Sequence, residues 1–146
     1  MSYRAAPQNH QFARRAKREG VLRITLSPWG APLYVFKGIE SFPEKFRRIF
    51  GIESQLASSE EDEVGGFFGV EVDQDGYAIN VLVISEAFED YPEEFIWHEA
   101  LHATFIILAA YGVKFDDQNH EVYNYTQGYI VSEIRQALYG KEGFGR

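Results

Sequence analysis

Trp97-His98-Glu99-Ala100-Leu101-His102 places two histidines four residues apart, with a glutamate directly after the first, inside a segment that reads as helix. Positions i and i+4 lie one turn apart on the same helix face. His98 and His102 can therefore aim two imidazoles at one metal ion. Glu99 flanks them, placed to take a proton from water activated there. A lone histidine in such a segment reads as a core residue satisfied by hydrogen bonds. Three polar groups at this spacing read as a metal site.

The flanks define the helix. Asp90 or Tyr91 is its cap, Pro92 takes the first helical position, and Glu93 and Glu94 put negative charge in the first turn. Gly112, after Tyr111, is a natural stop. Phe95, Leu101, Phe105 and Leu108 form an apolar stripe that Ile96, Ile106 and Ile107 widen, which predicts a largely buried helix.

The chain has 146 residues, 45% of them hydrophobic and 16% aromatic, enough for the core of one domain over residues 21–146. It has no cysteine, so any metal must be held by His, Asp or Glu. The first residues lack the apolar core of a signal peptide and no apolar run approaches membrane-spanning length, so no membrane partner is expected. The expected location is a cytoplasm or a particle assembled in one.

Residues 1–20 hold Arg4, Arg14, Arg15, Lys17 and Arg18 against Glu19, a net +4, while the other residues sum to −12. This predicts a basic, flexible N-terminal arm with an anionic partner or a docking place on the protein's own acidic surface. The plainer readings are a solvated helix face or a disordered leader. No nucleic-acid-binding motif accompanies the arm.

Along the body, Val21–Leu26 and Leu33–Phe36 read as strands separated by a Pro28–Pro32 turn. Ser41 and Glu44 form a capping-box pattern ahead of a helix that buries Phe42, Phe46, Ile49 and Phe50 and ends at Gly51. Residues 54–63 end in four consecutive acids and read as a solvated loop rather than a calcium site. Gly66–Val72 and Tyr77–Ile84 are strands joined by the Asp73-Gln74-Asp75-Gly76 hairpin. A last helix runs from about Gln118 to Leu138, capped by Asp116 and Asp117 and stopped by Gly140.

A catalytic zinc usually takes three protein ligands. Glu121 stands 19 residues after His102, far enough for a second helix to fold back on the first. Val122, Tyr125, Tyr129 and Ile130 read as that helix's inward stripe, which puts Glu121 on the side of Tyr125, with Gly128 allowing close approach. His120 is the rival third ligand.

With Glu121 in place, the chain resembles the gluzincin metallopeptidases over about residues 66–139. It is most similar to their very small bacterial and phage-encoded members, whose ligand glutamate lies in an Asn-x-Glu-x-x-x-Tyr context like Asn119 to Tyr125. The resemblance implies an α+β, zincin-like fold: a small, mostly antiparallel sheet of three or four strands packed on the His-Glu-x-x-His helix and a C-terminal glutamate helix. It implies zinc held by His98, His102 and Glu121, with Glu99 as general base. It departs from the larger gluzincins at Tyr125, where those have an aspartate. Metzincins need a glycine where this chain has Phe105, and peptide deformylases a cysteine; SprT-like proteases suggest a three-histidine site through His120.

The expected activity is zinc-dependent hydrolysis of a peptide or amide, the substrate held extended along an edge strand. Tyr125, Tyr129 and His120 are candidates to help the metal stabilise the oxyanion, and Tyr125 is carried beside Glu99 as a catalytic residue. The alternative is a zinc-binding component of a phage virion or tail, with phage structural proteins as partners and little catalysis.

Overall fold

The computed structural model describes residues 10–56, 66–85, 92–140 and 143–145. In chain order the elements are α1 (His10–Arg18), β1 (Leu22–Leu26), β2 (Ala31–Lys37), α2 (Phe42–Phe50), β3 (Gly66–Val72), β4 (Ala78–Ile84), α3 (Pro92–Ala110) and α4 (His120–Tyr139), with a short 3-10 turn at Gly143–Gly145. The architecture is α+β around a four-stranded sheet in the order β1-β2-β4-β3. β1 and β3 are antiparallel to their neighbours, but the central β2 and β4 run parallel, so the sheet is mixed.

Helices cover both faces of that sheet, which is why its central strands read as near-continuous apolar runs. Side chains alternate along a strand. On one side Leu33, Val35, Leu82 and Ile84 meet Ile96, Ala100, Ala103 and Ile107 of α3 and Ile130, Val131 and Ile134 of α4. On the other, Tyr34, Phe36, Val81 and Val83 meet Ala16 of α1 and Phe42, Phe46, Ile49 and Phe50 of α2. The aromatic rings of this second core interlock: Phe36 and Phe42 are edge to face with centroids 4.8 Å apart, as are Tyr34 and Phe50 at 4.9 Å.

Residues 10–18 depart from the expected arm. They form a helix whose Ala16 is fully buried and whose Arg15 Nη1 donates to the Ile49 carbonyl at 3.1 Å. Its basic side chains stand on the solvent side of a packed element. Residues 1–9 of the arm lie outside the described residues, as do the acidic run at 60–63 and the Asp90/Tyr91 cap.

Three local features also differ from the sequence reading. Ala31 and Pro32 belong to β2; Pro32 pairs with Thr25, and the parallel pairing to β4 begins only at Leu33, so the missing N–H falls at the strand's start. The capping box at Ser41 does not form. Glu44 is engaged by Arg47 and Arg48, and Ser41 Oγ instead donates weakly to the Lys37 and Gly38 carbonyls. Ahead of α4, Asp116 Oδ1 accepts from the amides of Gln118 and Asn119, a turn that delays the helix to His120.

α3 ends as expected. Gly112 takes a positive φ of 80°, and the Val113 amide reaches back to the Leu108 carbonyl, closing the helix end.

Candidate metal centre

α3 is anchored by Ile96, Ala100, Ala103, Ile107 and Leu108, all buried. Counting at 100° per residue, His98 and His102 fall on the opposite, solvent-facing side. The helix is therefore not the largely buried element that its composition predicts. Trp97, Leu101, Phe105 and Ile106 remain substantially exposed; among the described residues α3 packs chiefly on the sheet beneath it and on α4 beside it.

The histidine pair is set as its spacing requires. The two Nε2 atoms are 3.1 Å apart, with ring centroids 4.7 Å apart and planes at 77°. Zinc–nitrogen bonds of about 2.0–2.1 Å at a tetrahedral angle put two donor nitrogens roughly 3.3 Å apart. The pair thus has the bite of one tetrahedral ion, and two neutral imidazoles are the right donors for it. Without an ion, the same separation suits an N–H···N contact between one protonated and one bare nitrogen.

Glu99 occupies a different environment. It is only 6% exposed, whereas the His98 side chain beside it is 66% exposed, and its Oε1 lies 3.8 Å from His98 Nε2. Glu99 and His102 line a cleft of about 270 Å³ whose other wall is Gly66, Phe67, Phe68 and Ile106. Gly66 to Phe68 begin β3, an edge strand of the sheet. Gly66 is fixed there by backbone: its φ is +144°, and a Cβ would stand 2.0 Å from the Val83 carbonyl oxygen. Among the described residues β3 is thus an edge strand beside the cleft, while β4 falls inside the sheet.

The third-ligand candidates do not join the pair. α4 faces the core with Tyr123, Ile130, Val131, Ile134 and Ala137. Glu121 lies about 160° around the helix from Tyr123. Its side chain is 60% exposed, with Oε1 3.3 Å from His120 Nε2. Of the inward stripe expected from Val122, Tyr125, Tyr129 and Ile130, Ile130 is buried as expected, while the other three are exposed. Tyr125 and Tyr129 line a separate groove with Leu26, Ser27 and Thr126 at the end of β1, the sheet edge opposite β3. That edge is about 14 Å from β3 across three strand spacings, so neither tyrosine shares the Glu99 cleft. Among the described residues, no group of three or more His, Asp or Glu side chains converges as a metal site.

α4 does contribute one contact that the sequence did not single out. Gln127 Nε2 donates to the Trp97 carbonyl at 3.3 Å, tying α4 to α3 one residue before His98. Arg135 adds a second tie, pairing with Glu93 and lying 5.8 Å from the Trp97 ring centre.

Compared with protein-family models, with curated proteins and with solved structures, the chain matches none.

Proposed function

We propose that the protein is a zinc-dependent peptide or amide hydrolase built on a zincin-like α+β fold, with His98 and His102 as metal ligands and Glu99 as general base. The observation that carries this reading is the pair of Nε2 atoms 3.1 Å apart beside a carboxylate buried in a cleft. His98 and His102 would hold the zinc, which when bound would supply a Lewis acid and lower the pKa of water towards neutrality. Glu99 accepts the proton from the attacking water and delivers it to the departing amine. Its burial keeps the carboxylate away from bulk solvent, which strengthens its hold on that proton path. As an edge strand among the described residues, β3 would offer main-chain N–H and C=O groups to an extended substrate, with Phe67, Phe68 and Ile106 around its side chains.

Glu121 and Tyr125 are left out of this reading, since among the described residues no third His, Asp or Glu converges on the histidine pair and Tyr125 lines a separate groove. The exposed apolar side of α3 favours a second reading, a zinc-binding module that docks onto another protein and does not cut.

Glu99→Gln separates the two. Zinc content measured on purified protein is expected to stay at the wild-type level, while hydrolysis of a casein or peptide-library substrate falls by at least about 100-fold. Unchanged hydrolysis in that variant removes Glu99 as the base. Wild-type protein that carries zinc and cuts nothing leaves the docking module.

A further inference from the structure

We infer that one zinc ion bridges two copies of this chain through His98 and His102 of each, making a closed dimer that stores the site in an inactive form. This rests on the reading that the pair binds zinc, and adds what completes the coordination.

Three observations lead there. First, the pair supplies two donors on a solvent-facing helix surface, and no third His, Asp or Glu converges on them among the described residues. A second pair brings the count to four, the number a closed structural zinc takes.

Second, α3 is apolar on two faces. Ile96, Ala100, Ala103 and Ile107 fill the core, yet Trp97, Leu101 and Phe105 remain 40, 42 and 39% exposed beside the histidines. Large apolar side chains left in water on a second face mark a surface that another protein covers. Glu94, His98, Leu101 and Phe105 follow one another at i, i+4, i+7 and i+11, the spacing of a helix-pairing seam, with His102 alongside.

Third, the seam suits its own copy. A two-fold contact brings the same patch of each chain together. In an antiparallel crossing centred on the pair, Glu94 of one copy lies towards the second half of the other α3, and residues 100–110 carry no charge. A chain of net charge −8 thus presents only one acid per copy along this seam, and opposite an uncharged stretch. With four imidazoles around the ion no position is left for water, so Glu99 has nothing to deprotonate until the copies part.

The test is a zinc titration of the full chain, first stripped with EDTA, followed by sedimentation equilibrium and zinc analysis. Dimer is expected to form at half an equivalent of zinc, with one ion per two chains. The stripped chain should stay monomeric to concentrations at least about tenfold above those at which the zinc-loaded chain pairs. Several-fold excess zinc should split the dimer again, as each pair takes its own ion. His102→Ala is expected to stay monomeric throughout. Leu101→Glu should stay monomeric while binding one zinc per chain. Both side chains are exposed, so neither substitution threatens folding. A monomer with one zinc per chain at every ratio overturns the bridge and leaves the hydrolase reading standing. No zinc uptake overturns both. A dimer that forms without zinc, or persists in His102→Ala, overturns the bridging role of the metal.

Discussion

His98 and Glu99 are adjacent in the chain and opposite in circumstance, one imidazole in solvent and one carboxylate in a cleft wall. In the proposed hydrolase a ligand must be reachable by the ion and a base sheltered beside it, and consecutive helix positions 100° apart allow one exposed and one buried side chain. This much was legible in the sequence, because an i, i+4 spacing depends only on helical geometry. The facing of α4 was not. Val122, Tyr125 and Tyr129 mimic an inward stripe, but tyrosine is amphipathic and settles at a surface as readily as in a core. Tyr123 took the inward place, its hydroxyl donating to the Val113 carbonyl while its ring meets Phe105 at 5.0 Å. Two substitutions follow. His98→Ala is expected to abolish zinc uptake at micromolar metal, whereas Glu121→Ala should leave zinc affinity within about twofold of wild type, since its carboxylate lies off the pair; isothermal titration decides, and severe weakening by Glu121→Ala would return that residue to the coordination sphere. Gly66→Ala should destabilise the fold by about 2 kcal/mol or more in urea unfolding, because a β-carbon at that φ meets the Val83 carbonyl.

Strands and helices were legible where hydrophobic period and stop residues agreed: α2 ends on Gly51 at φ 73°, and the β3–β4 turn closes on Gly76 with Asp73 Oδ1 accepting from Asp75 and Tyr77 amides. What period cannot show is which strands become neighbours. The parallel pairing of β2 with β4 depends on α2 crossing one face of the sheet, a long-range arrangement with no local signature. Local signals can also be outbid. Ser41 has the identity of a cap, but its hydroxyl is turned back to Lys37 and Gly38. Ser41→Ala is therefore expected to cost under about 0.5 kcal/mol in urea unfolding, against the ~1 kcal/mol of a working cap. The aromatic layer between sheet and α1/α2 carries a pH signature of its own. Burial raises the Tyr34 phenol above its ordinary value near 10.0, and the opposing pull of Arg23, whose Nε lies 3.4 Å from the hydroxyl, does not cancel it. The folded state thus keeps a proton that the unfolded chain releases first. Its stabilising contribution is complete below about pH 10 and is lost as pH climbs beyond that. Tyr34→Phe should flatten the decline of the urea midpoint between pH 9 and pH 11; an unchanged slope would assign the decline to Tyr111 or Tyr123, also raised by burial.

The molecule keeps its chemistry and its cohesion apart. Both cores lie against the sheet, and neither includes His98 or His102. Charge is divided as well: seven of the fourteen basic side chains stand on α1 and α2, against Glu44 and the adjoining Glu19, on the sheet face away from the histidine pair. The sequence announced that excess but left it between a solvated helix face and a flexible arm, because a nine-residue helix with few apolar positions has little to signal that it packs. Small domains that fold around a metal lose their structure when it is chelated, the ion's binding energy being their folding energy. This chain is expected to behave otherwise, since neither hydrophobic core takes in His98 or His102. EDTA-treated protein is therefore expected to keep its far-ultraviolet circular dichroism at 25 °C. Zinc should then act only by mass action, adding about 2.7 kcal/mol at a hundredfold excess over its dissociation constant and raising the melting temperature accordingly. His102→Ala should melt where the EDTA-treated protein melts, with or without added zinc. Collapse of the circular dichroism on chelation would show instead that the ion holds α3 in place, and the division between core and site would have to be given up.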